Sequence, residues 1–341
     1  MSKLLKRVQP LNYSWLMGWL SAKFTHCQVI DWYQQSLENF VPQSKPSIVY
    51  LDDEEFNQDT TRILTTARHW KNYDLSNHVF ICKILKVKGI LDYYKIPCVY
   101  EPWFHIIDDC FAYNKIQRQF TLPLIGKNFY CLNRRKTPER LWTITELDRL
   151  QLLQHGYVSG RYPQSLFKKP LANYSLLSNI DYDYKNSFIG FERTGYKING
   201  IPISANVFNA EQIVHTVPGT INISVETNMK PFFPTEKSVL SFTTYRVPII
   251  LAEAGRVEQL RQQGFDMFDD LVNHNYDLYK KDETKRITQA LEDNDYLLRH
   301  GLGDGRAFEQ RLRYNYNHLT NKWFSSKLHE LHEKIADKLG P

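Results

Sequence analysis

Charged side chains directly follow two apolar runs of this chain and open a helical pattern shortly afterwards. The run FYCL leads into Asn133 and a basic turn, and the run INISV leads into a single acid. The residues here whose side chains could bind a ligand or take part in catalysis are Arg134, Arg135, Arg140, Glu226, Thr235, Glu236, Lys237 and Ser238. If FYCL and INISV are strands of a parallel sheet, their carboxyl ends lie at the same edge, where ligands of such sheets bind.

These residue types suit a nucleoside diphosphate. Arginine offers forked donors to phosphate oxygens, lysine adds a point charge, and a helix N-terminus presents free N–H groups. A carboxylate can accept hydrogen bonds from the paired hydroxyls of a ribose. Taken separately, RRK is more often a solvated turn and Glu-Lys a surface pair, so the prediction rests on their joint occurrence at strand ends.

Short β-branched runs alternate with helical patterns along the chain, which indicates parallel βαβ units. SIVYL, HVFIC and CVY are predicted strands of a first half, and FYCL, INISV and VPIIL are predicted strands of a second. Pro and Gly interrupt the pattern near residues 119–127. We therefore predict an α/β protein with an acceptor-side domain at 1–125, a donor domain at 126–285 and C-terminal helices at 286–341 that cross back onto the first domain.

The second half resembles a known family. NFYCLNRRKTPERLWTITELDRLQLL is similar to the opening of the donor domain in a group of glycosyltransferases, including phage-encoded ones, with the pattern N-R-R-x4-R after an apolar strand. INISVET and the stretch from FFPTEKS to NHNYD resemble the later part of that domain, and fucosyltransferases carry a related TEK element. The resemblance covers roughly residues 128–280.

This resemblance implies a GT-B fold, in which two Rossmann-like domains face a cleft and the second holds a UDP- or GDP-sugar donor. It places Arg134, Arg135 and Arg140 on the diphosphate side. Lys237 would contact phosphate, and Glu236 or Glu226 the ribose or sugar, beside Thr235 and Ser238. Two positions depart from the pattern: Glu139 stands where the family often has His, and Ser238 replaces a commoner Thr.

The first half supplies the candidates for a general base, since an acceptor hydroxyl must lose its proton during transfer. Asp52 and Asp53 follow SIVYL, while Glu101 and His105 follow CVY. Each has a plainer interpretation as a helix cap or a solvated acid. No D-x-D motif sits at the predicted nucleotide-sugar site, so we expect a metal-independent enzyme without a cofactor, the nucleotide sugar being its substrate.

Composition limits the other classes of function. The chain has 341 residues, 42% of them hydrophobic, and a formal net charge of +6, which permits an anionic partner without demanding one. Five scattered cysteines predict buried thiols in a reducing compartment. No apolar run reaches the length of a membrane span, so we expect a cytoplasmic location, in the host if the protein is phage-encoded. We expect the segment WLMGWLSAKF to pack on the core rather than to lie in a membrane interface.

Two acceptors fit a transferase. The first is double-stranded DNA with hydroxymethylated bases, as modified by enzymes of some tailed phages, and the second is a surface glycan or lipid-linked oligosaccharide. The C-terminal segment favours DNA narrowly, because it interleaves basic and aromatic residues: Arg306, Arg311, Arg313, Tyr314, Tyr316, Lys322, Trp323 and Lys327. The plainer interpretation is that these charges form the solvated face of packed helices. A third possibility is a non-catalytic nucleotide- or nucleic-acid-binding module on a Rossmann scaffold.

Overall fold

The computed structural model of this protein shows an α/β architecture with two parallel four-stranded sheets. It describes residues 15–31, 45–51, 60–116, 120, 126–133, 136–160, 163–177, 197–198, 201–202, 213–214, 217–226, 234–280, 282–303 and 305–340. The prediction of parallel βαβ units is confirmed. The chain divides into two compact units, unit 1 (Met1–Ala112, Tyr184–Ser204 and Lys327–Pro341) and unit 2 (Tyr113–Asp183 and Ala205–Ser326). The three-part domain division stays a prediction.

The strands are short, and helices alternate with them. The strands are β1 Gln28–Asp31, β2 Ser47–Tyr50, β3 His78–Cys82, β4 Cys98–Tyr100, β5 Phe129–Cys131, β6 Gly156–Val158, β7 Lys197–Ile198, β8 Ile201–Pro202, β9 Ile221–Val225 and β10 Val247–Leu251. The helices are α1 Trp15–Lys23, α2 Thr60–Trp70, α3 Leu85–Tyr93, α4 Phe104–Ile116, α5 Pro138–Arg149, α6 Lys237–Thr243, α7 Arg256–Gln262, α8 Glu283–Asp293, α9 Asp295–His300, α10 Glu309–Asn317 and α11 Phe324–Leu339. A π-helical segment, His318–Trp323, joins α10 to α11.

The sheet of unit 1 has the strand order β1-β2-β3-β4, the same as the order along the chain. All residues of β2 and β3 are buried, which is typical of a parallel sheet covered on both faces. Successive crossovers in one direction place their helices on one face, because parallel crossovers are right-handed. Helices α2 and α3 therefore lie side by side, and they pack against each other.

Helix α1 packs on the core of unit 1, as predicted. Leu16 and Leu20 are fully buried, and the ring of Phe24 stacks on His332 of α11 at 5.0 Å between centroids. The carboxylate of Asp108 accepts the Leu16 N–H at 2.8 Å, which satisfies a free donor at the start of the helix. Among the described residues, no helix is long and apolar enough to cross a membrane.

The sheet of unit 2 has the order β10-β9-β5-β6. From β5 the chain moves to one side to form β6, and it then returns to the other side of β5 to form β9 and β10. Gly219, just before β9, has a φ of +116°, and a Cβ there would lie 2.8 Å from the backbone carbonyl carbon of Phe129. This close backbone approach brings β9 against β5, and only glycine permits it.

The five cysteines are buried free thiols, as predicted. Gly264 follows α7 with a φ of +91°, the left-handed conformation in which glycine commonly ends a helix. Pro138 is the first residue of α5, where its missing N–H costs nothing. The strands predicted from the sequence did not include β1 or β6.

Candidate functional site

Strands β5 and β9 form the topological switch point of the sheet in unit 2. After β5 the chain continues to β6 on one side, and after β9 it continues to β10 on the other side. In open α/β sheets, ligands bind in the crevice outside the carboxyl ends of the strands at such a point. The pairing of β5 with β9 ends at Tyr130↔Asn222, whereas β9 continues to Val225 beside β10. The two strands therefore part before their carboxyl ends.

Arg140 of α5 lies in this crevice. Its Nη2 donates to the carbonyl of Val225, the last residue of β9, at 3.4 Å, and the side chain is almost fully buried. Burial raises the pKa of the Cys131 thiol, at the end of β5, to about 12, and the Asn133 hydrogen bond and the charge of Arg140 oppose the rise. The guanidinium is thus close to the ends of both strands.

Glu226 follows β9 and is fully buried. Its Oε2 accepts the hydroxyl of Thr235 at 2.5 Å, and its Oε1 accepts the hydroxyl of Ser238 at 2.6 Å. The Thr235 N–H also points to Oε1, at 3.4 Å. Because both oxygens bind the protein itself, Glu226 anchors the start of α6 to the end of β9, and its contact with a ribose or sugar stays a prediction.

A buried polar ladder continues this attachment along α6. Asn222 donates to the hydroxyls of Ser224 at 2.8 Å and of Ser241 at 2.9 Å, and Ser224 donates to the Lys237 carbonyl at 2.9 Å. These bonds join alternate residues of β9 to successive turns of α6. They hold the backbone of Lys237 in a fixed place beside the crevice.

Glu236 and Lys237 are the members of the TEK element whose side chains reach solvent. Lys237 Nζ lies 2.8 Å from Glu236 Oε1, and the two side chains are 21% and 37% exposed. An ion pair that is this exposed contributes about 0–1 kcal/mol to stability. Lys237 can therefore exchange its partner for an anionic ligand at little cost to the fold.

The adjacent carboxyl end of β10 carries a charged group that the sequence interpretation missed. Glu253 forms an ion pair with the fully buried Arg256 at 2.5 Å. Burial raises the pKa of Glu253, and the charge and hydrogen bond of Arg256 oppose the rise. Burial likewise raises the pKa of Asp277, whose carboxylate accepts the Glu258 N–H at 3.2 Å and so caps α7. Glu253 follows the strand VPIIL, so the strand-end rule that selected Glu226 would have found it.

Four predicted site residues lie outside the described part of the chain: Arg134, Arg135, Asp52 and Asp53. The structure describes the residues beside them. Asn133, directly before Arg134, is buried, and its N–H donates to the Ser159 hydroxyl at 2.9 Å. Strand β2 ends at Tyr50, shortly before Asp52.

A second polar group lies at the carboxyl edge of the sheet in unit 1. His105, in the first turn of α4, contacts the hydroxyl of Tyr50 at 3.3 Å through Nε2, and the Lys83 amine hydrogen-bonds to the same nitrogen. Lys83 follows β3 and is fully buried. A lysine ammonium can only donate, so with Lys83 charged, Nε2 accepts and Nδ1 carries the ring hydrogen. Lys83 and Tyr50 were not candidates from the sequence, although both stand at strand ends.

Glu101, the other candidate of this edge, is engaged by its surroundings. Its Oε1 accepts the Trp103 N–H at 3.3 Å, and its Oε2 pairs with Lys334 of α11 at 3.1 Å. The side chain is 2% exposed, whereas that of Lys334 is 44% exposed. The carboxylate is therefore held by two donors and is screened from solvent.

The C-terminal segment uses much of its basic charge internally. Arg311 pairs with Asp266 at 2.6 Å and with Asp270 at 2.8 Å, and Arg313 pairs with Glu309 at 2.7 Å. Lys327 pairs with Glu330 at 2.8 Å. Tyr316 and Trp323 are buried, and the half-exposed Tyr314 donates to the Gly264 carbonyl. This pattern favours the interpretation as packed helices over the interpretation as a DNA-binding segment.

Within the described ranges, no group of three or more His, Cys, Asp or Glu side chains is placed to hold a metal ion. The expectation of metal independence stays a prediction. Comparisons of the chain with protein-family models, with curated proteins and with solved structures gave no match. The function must therefore be argued from the two strand-end groups themselves.

Proposed function

We propose that this protein is a GT-B glycosyltransferase that moves a sugar from a UDP- or GDP-sugar to an acceptor hydroxyl. The observation that carries the proposal is the switch point between β5 and β9. The N-R-R-x4-R and TEK elements, which resemble a glycosyltransferase donor domain, follow these two strands. Ligands of open α/β sheets commonly bind at such a switch point, which supports the proposal independently of the resemblance.

The chemistry requires positive charge at the leaving diphosphate. The acceptor oxygen forms a bond to the anomeric carbon, the bond from that carbon to the β-phosphate oxygen breaks, and the nucleoside diphosphate departs with the electron pair. Lys237, partly exposed beside the crevice, would contact the phosphates together with Arg134 and Arg135. Arg140 would add a fixed charge at the strand ends, and Glu226 would hold the TEK element in position.

The acceptor hydroxyl must also lose its proton to a base. Glu101 is held by Trp103 and Lys334, and Nε2 of His105 is already hydrogen-bonded to Lys83 and Tyr50. Of the four candidates, Asp52 and Asp53 are therefore favoured over Glu101 and His105. For the acceptor we propose hydroxymethylated bases in DNA, in the cytoplasm of a phage-infected host, which the net charge of +6 permits. The C-terminal segment no longer supports this choice, because Arg311, Arg313 and Lys327 are paired internally, so a surface glycan or lipid-linked oligosaccharide is an equal alternative.

Donor binding is tested by thermal unfolding with UDP-, GDP- and CMP-sugars. A ligand at 100 times its dissociation constant stabilises the folded state by about 2.7 kcal/mol. For a unit of this size that raises Tm by roughly 5–10 °C. We expect one donor to raise the Tm of the wild type and to raise that of Lys237→Ala much less. The control Lys322→Ala, whose side chain is exposed on the C-terminal segment, should show the same rise as the wild type. If no nucleotide sugar shifts Tm, the transferase proposal fails and a non-catalytic module remains.

Acceptor identity is tested with a labelled donor. The label should enter duplex DNA with hydroxymethylated cytosine or uracil and should not enter unmodified DNA, since an enzyme acting inside a duplex must flip out a base that carries the hydroxyl. Label in an oligosaccharide or lipid-linked acceptor alone would establish the glycan alternative.

A further inference from the structure

The C-terminal ends of α2 and α3 display basic and aromatic side chains together, and we call them the α2–α3 surface. It comprises Arg68, Lys71, Tyr93, Tyr94 and Lys95. Arg68 lies in the last turn of α2, and Lys71 follows that helix directly. Tyr93 is the last residue of α3, and Tyr94 and Lys95 follow it. Their proximity follows from the sequential strand order, which places both helices on one face of the sheet.

Direct contacts join four of these residues, and Lys95 follows Tyr94 in the chain. Arg68 Nε donates to the Tyr94 hydroxyl at 3.0 Å, and Lys71 Nζ lies 6.0 Å from the centroid of the same ring. The rings of Tyr93 and Tyr94 meet edge to face, with centroids 5.0 Å apart. Tyr93 is 79% exposed, so one face of an aromatic ring is open beside two cations.

The charge of this surface is not neutralised locally. Arg68, Lys71 and Lys95 are exposed, and none forms an ion pair with an acid in the described part of the chain. The nearby acids are engaged: Asp92 pairs with Lys88 and accepts the Cys98 thiol, and Asp74 accepts the Ser76 N–H. The α2–α3 surface thus differs from the C-terminal segment, where Arg311, Arg313 and Lys327 each have an acidic partner.

The surface lies apart from the strand-end group of His105. In a βαβ unit the helix runs back against the strand direction, so the C-terminal ends of α2 and α3 lie at the amino edge of the sheet. Tyr50, Lys83 and His105 lie at its carboxyl edge. The two edges of unit 1 therefore present different chemistry.

We propose that the α2–α3 surface docks single-stranded nucleic acid. Phosphate oxygens would contact Arg68, Lys71 and Lys95, and an unpaired base would stack on the open face of Tyr93. Cations alternating with exposed rings match such a strand, which offers a charged backbone and a π-face at each base. The proposal is independent of donor chemistry, because a chain that binds no nucleotide sugar can still dock nucleic acid here.

The salt dependence of binding tests the cations. Three phosphate contacts give a slope of about −2 for the logarithm of the binding constant against the logarithm of salt concentration, or roughly a 20-fold loss of affinity between 50 and 200 mM salt. We expect this for a fluorescent oligothymidylate followed by anisotropy. Arg68→Glu with Lys71→Glu should abolish binding. The control Lys169→Glu with Lys280→Glu changes net charge equally at exposed sites and should bind like wild type.

Two further variants separate recognition from folding. Tyr93→Ala should weaken binding by about 10-fold or more with an unchanged salt slope, since stacking contributes roughly 1–3 kcal/mol per base. Lys95 has a φ of +58°, which glycine adopts without strain. Lys95→Gly should therefore raise Tm while it weakens binding and lowers the salt slope by about 0.7.

The results that would overturn the proposal are specific. Equal loss of binding in the paired α2–α3 variant and in the Lys169/Lys280 control would mean that net charge alone attracts the oligonucleotide. Binding to phosphatidylserine vesicles without binding to the oligonucleotide would identify a membrane-facing surface. If all α2–α3 variants bind the oligonucleotide like wild type but have an altered Tm, the cations only stabilise the C-terminal ends of the helices and the proposal is wrong. In every variant the donor-dependent Tm shift should persist, so failure here and failure of the transferase proposal are distinguishable.

Discussion

Replacing Glu226 tests whether a buried carboxylate holds the TEK element on the end of β9. In Glu226→Ala, the hydroxyls of Thr235 and Ser238 lose their acceptor at a site where Glu226 and Ser238 are fully buried. Hydrogen bonds to a charged group contribute about 1.5–3 kcal/mol each, so two of them give a loss of roughly 3–6 kcal/mol. For a unit of this size the corresponding fall in Tm is on the order of 10 °C.

Glu226→Gln separates shape from charge. The amide keeps one acceptor oxygen, and its NH2 group can donate to a hydroxyl that rotates to accept. We therefore expect a smaller loss of about 1–2 kcal/mol. Glu236→Ala is the matched control, because it removes a neighbouring carboxylate whose ion pair is exposed and contributes about 0–1 kcal/mol.

Hydrogen exchange read by mass spectrometry is the suitable assay, because a chain with two compact units need not unfold in one step. Peptides covering β9 and α6 report the stability of unit 2 locally. A loss below about 1 kcal/mol in Glu226→Ala, equal to that of Glu236→Ala, would refute the reasoning. Equal losses in the Ala and Gln variants would show that charge, rather than the two hydroxyl contacts, decides stability.

Three other predictions follow from single features. His274 is buried, and burial lowers its pKa; its Nε2–H donates to the Met267 carbonyl, and its Nδ1 accepts the Tyr276 hydroxyl. Because the folded state resists protonation of His274, the free energy of unfolding should fall by on the order of 1 kcal/mol as the pH drops below about 6.5. Urea unfolding at pH 7.5 and 5.5 measures this difference, and His274→Gln should lose it. Gly219→Ala should destabilise unit 2 by more than 1 kcal/mol in the same assay, since it combines a positive φ with a backbone clash at Phe129; an unchanged midpoint would contradict this. Transfer activity should survive EDTA, because Arg134, Arg135 and Lys237 supply positive charge where no D-x-D motif occurs; loss with rescue by manganese would reject metal independence.

Local signals in the sequence predicted most elements of the fold. The runs VFIC and VPIIL are apolar along their whole length, as strands covered on both faces require, and they lie in β3 and β10. Pro138 and Gly264 mark a helix start and a helix end through their own backbone restrictions. Strands β1 (QVID) and β6 (GYV) were missed because each has only two consecutive apolar residues, which is too short a run to separate from a loop.

Tertiary structure decided what the charged residues can do. The sequence by itself determined that acids and bases follow the strands, because that depends only on neighbours along the chain. It could not show that Glu226 faces inward, since a carboxylate after a strand is buried or exposed according to which helix packs over it. Nor could it show that Arg311 is paired, because Asp266 and Asp270 lie 45 and 41 residues away in the sequence. The order β10-β9-β5-β6, and with it the position of the switch point, depends on contacts of the same long range.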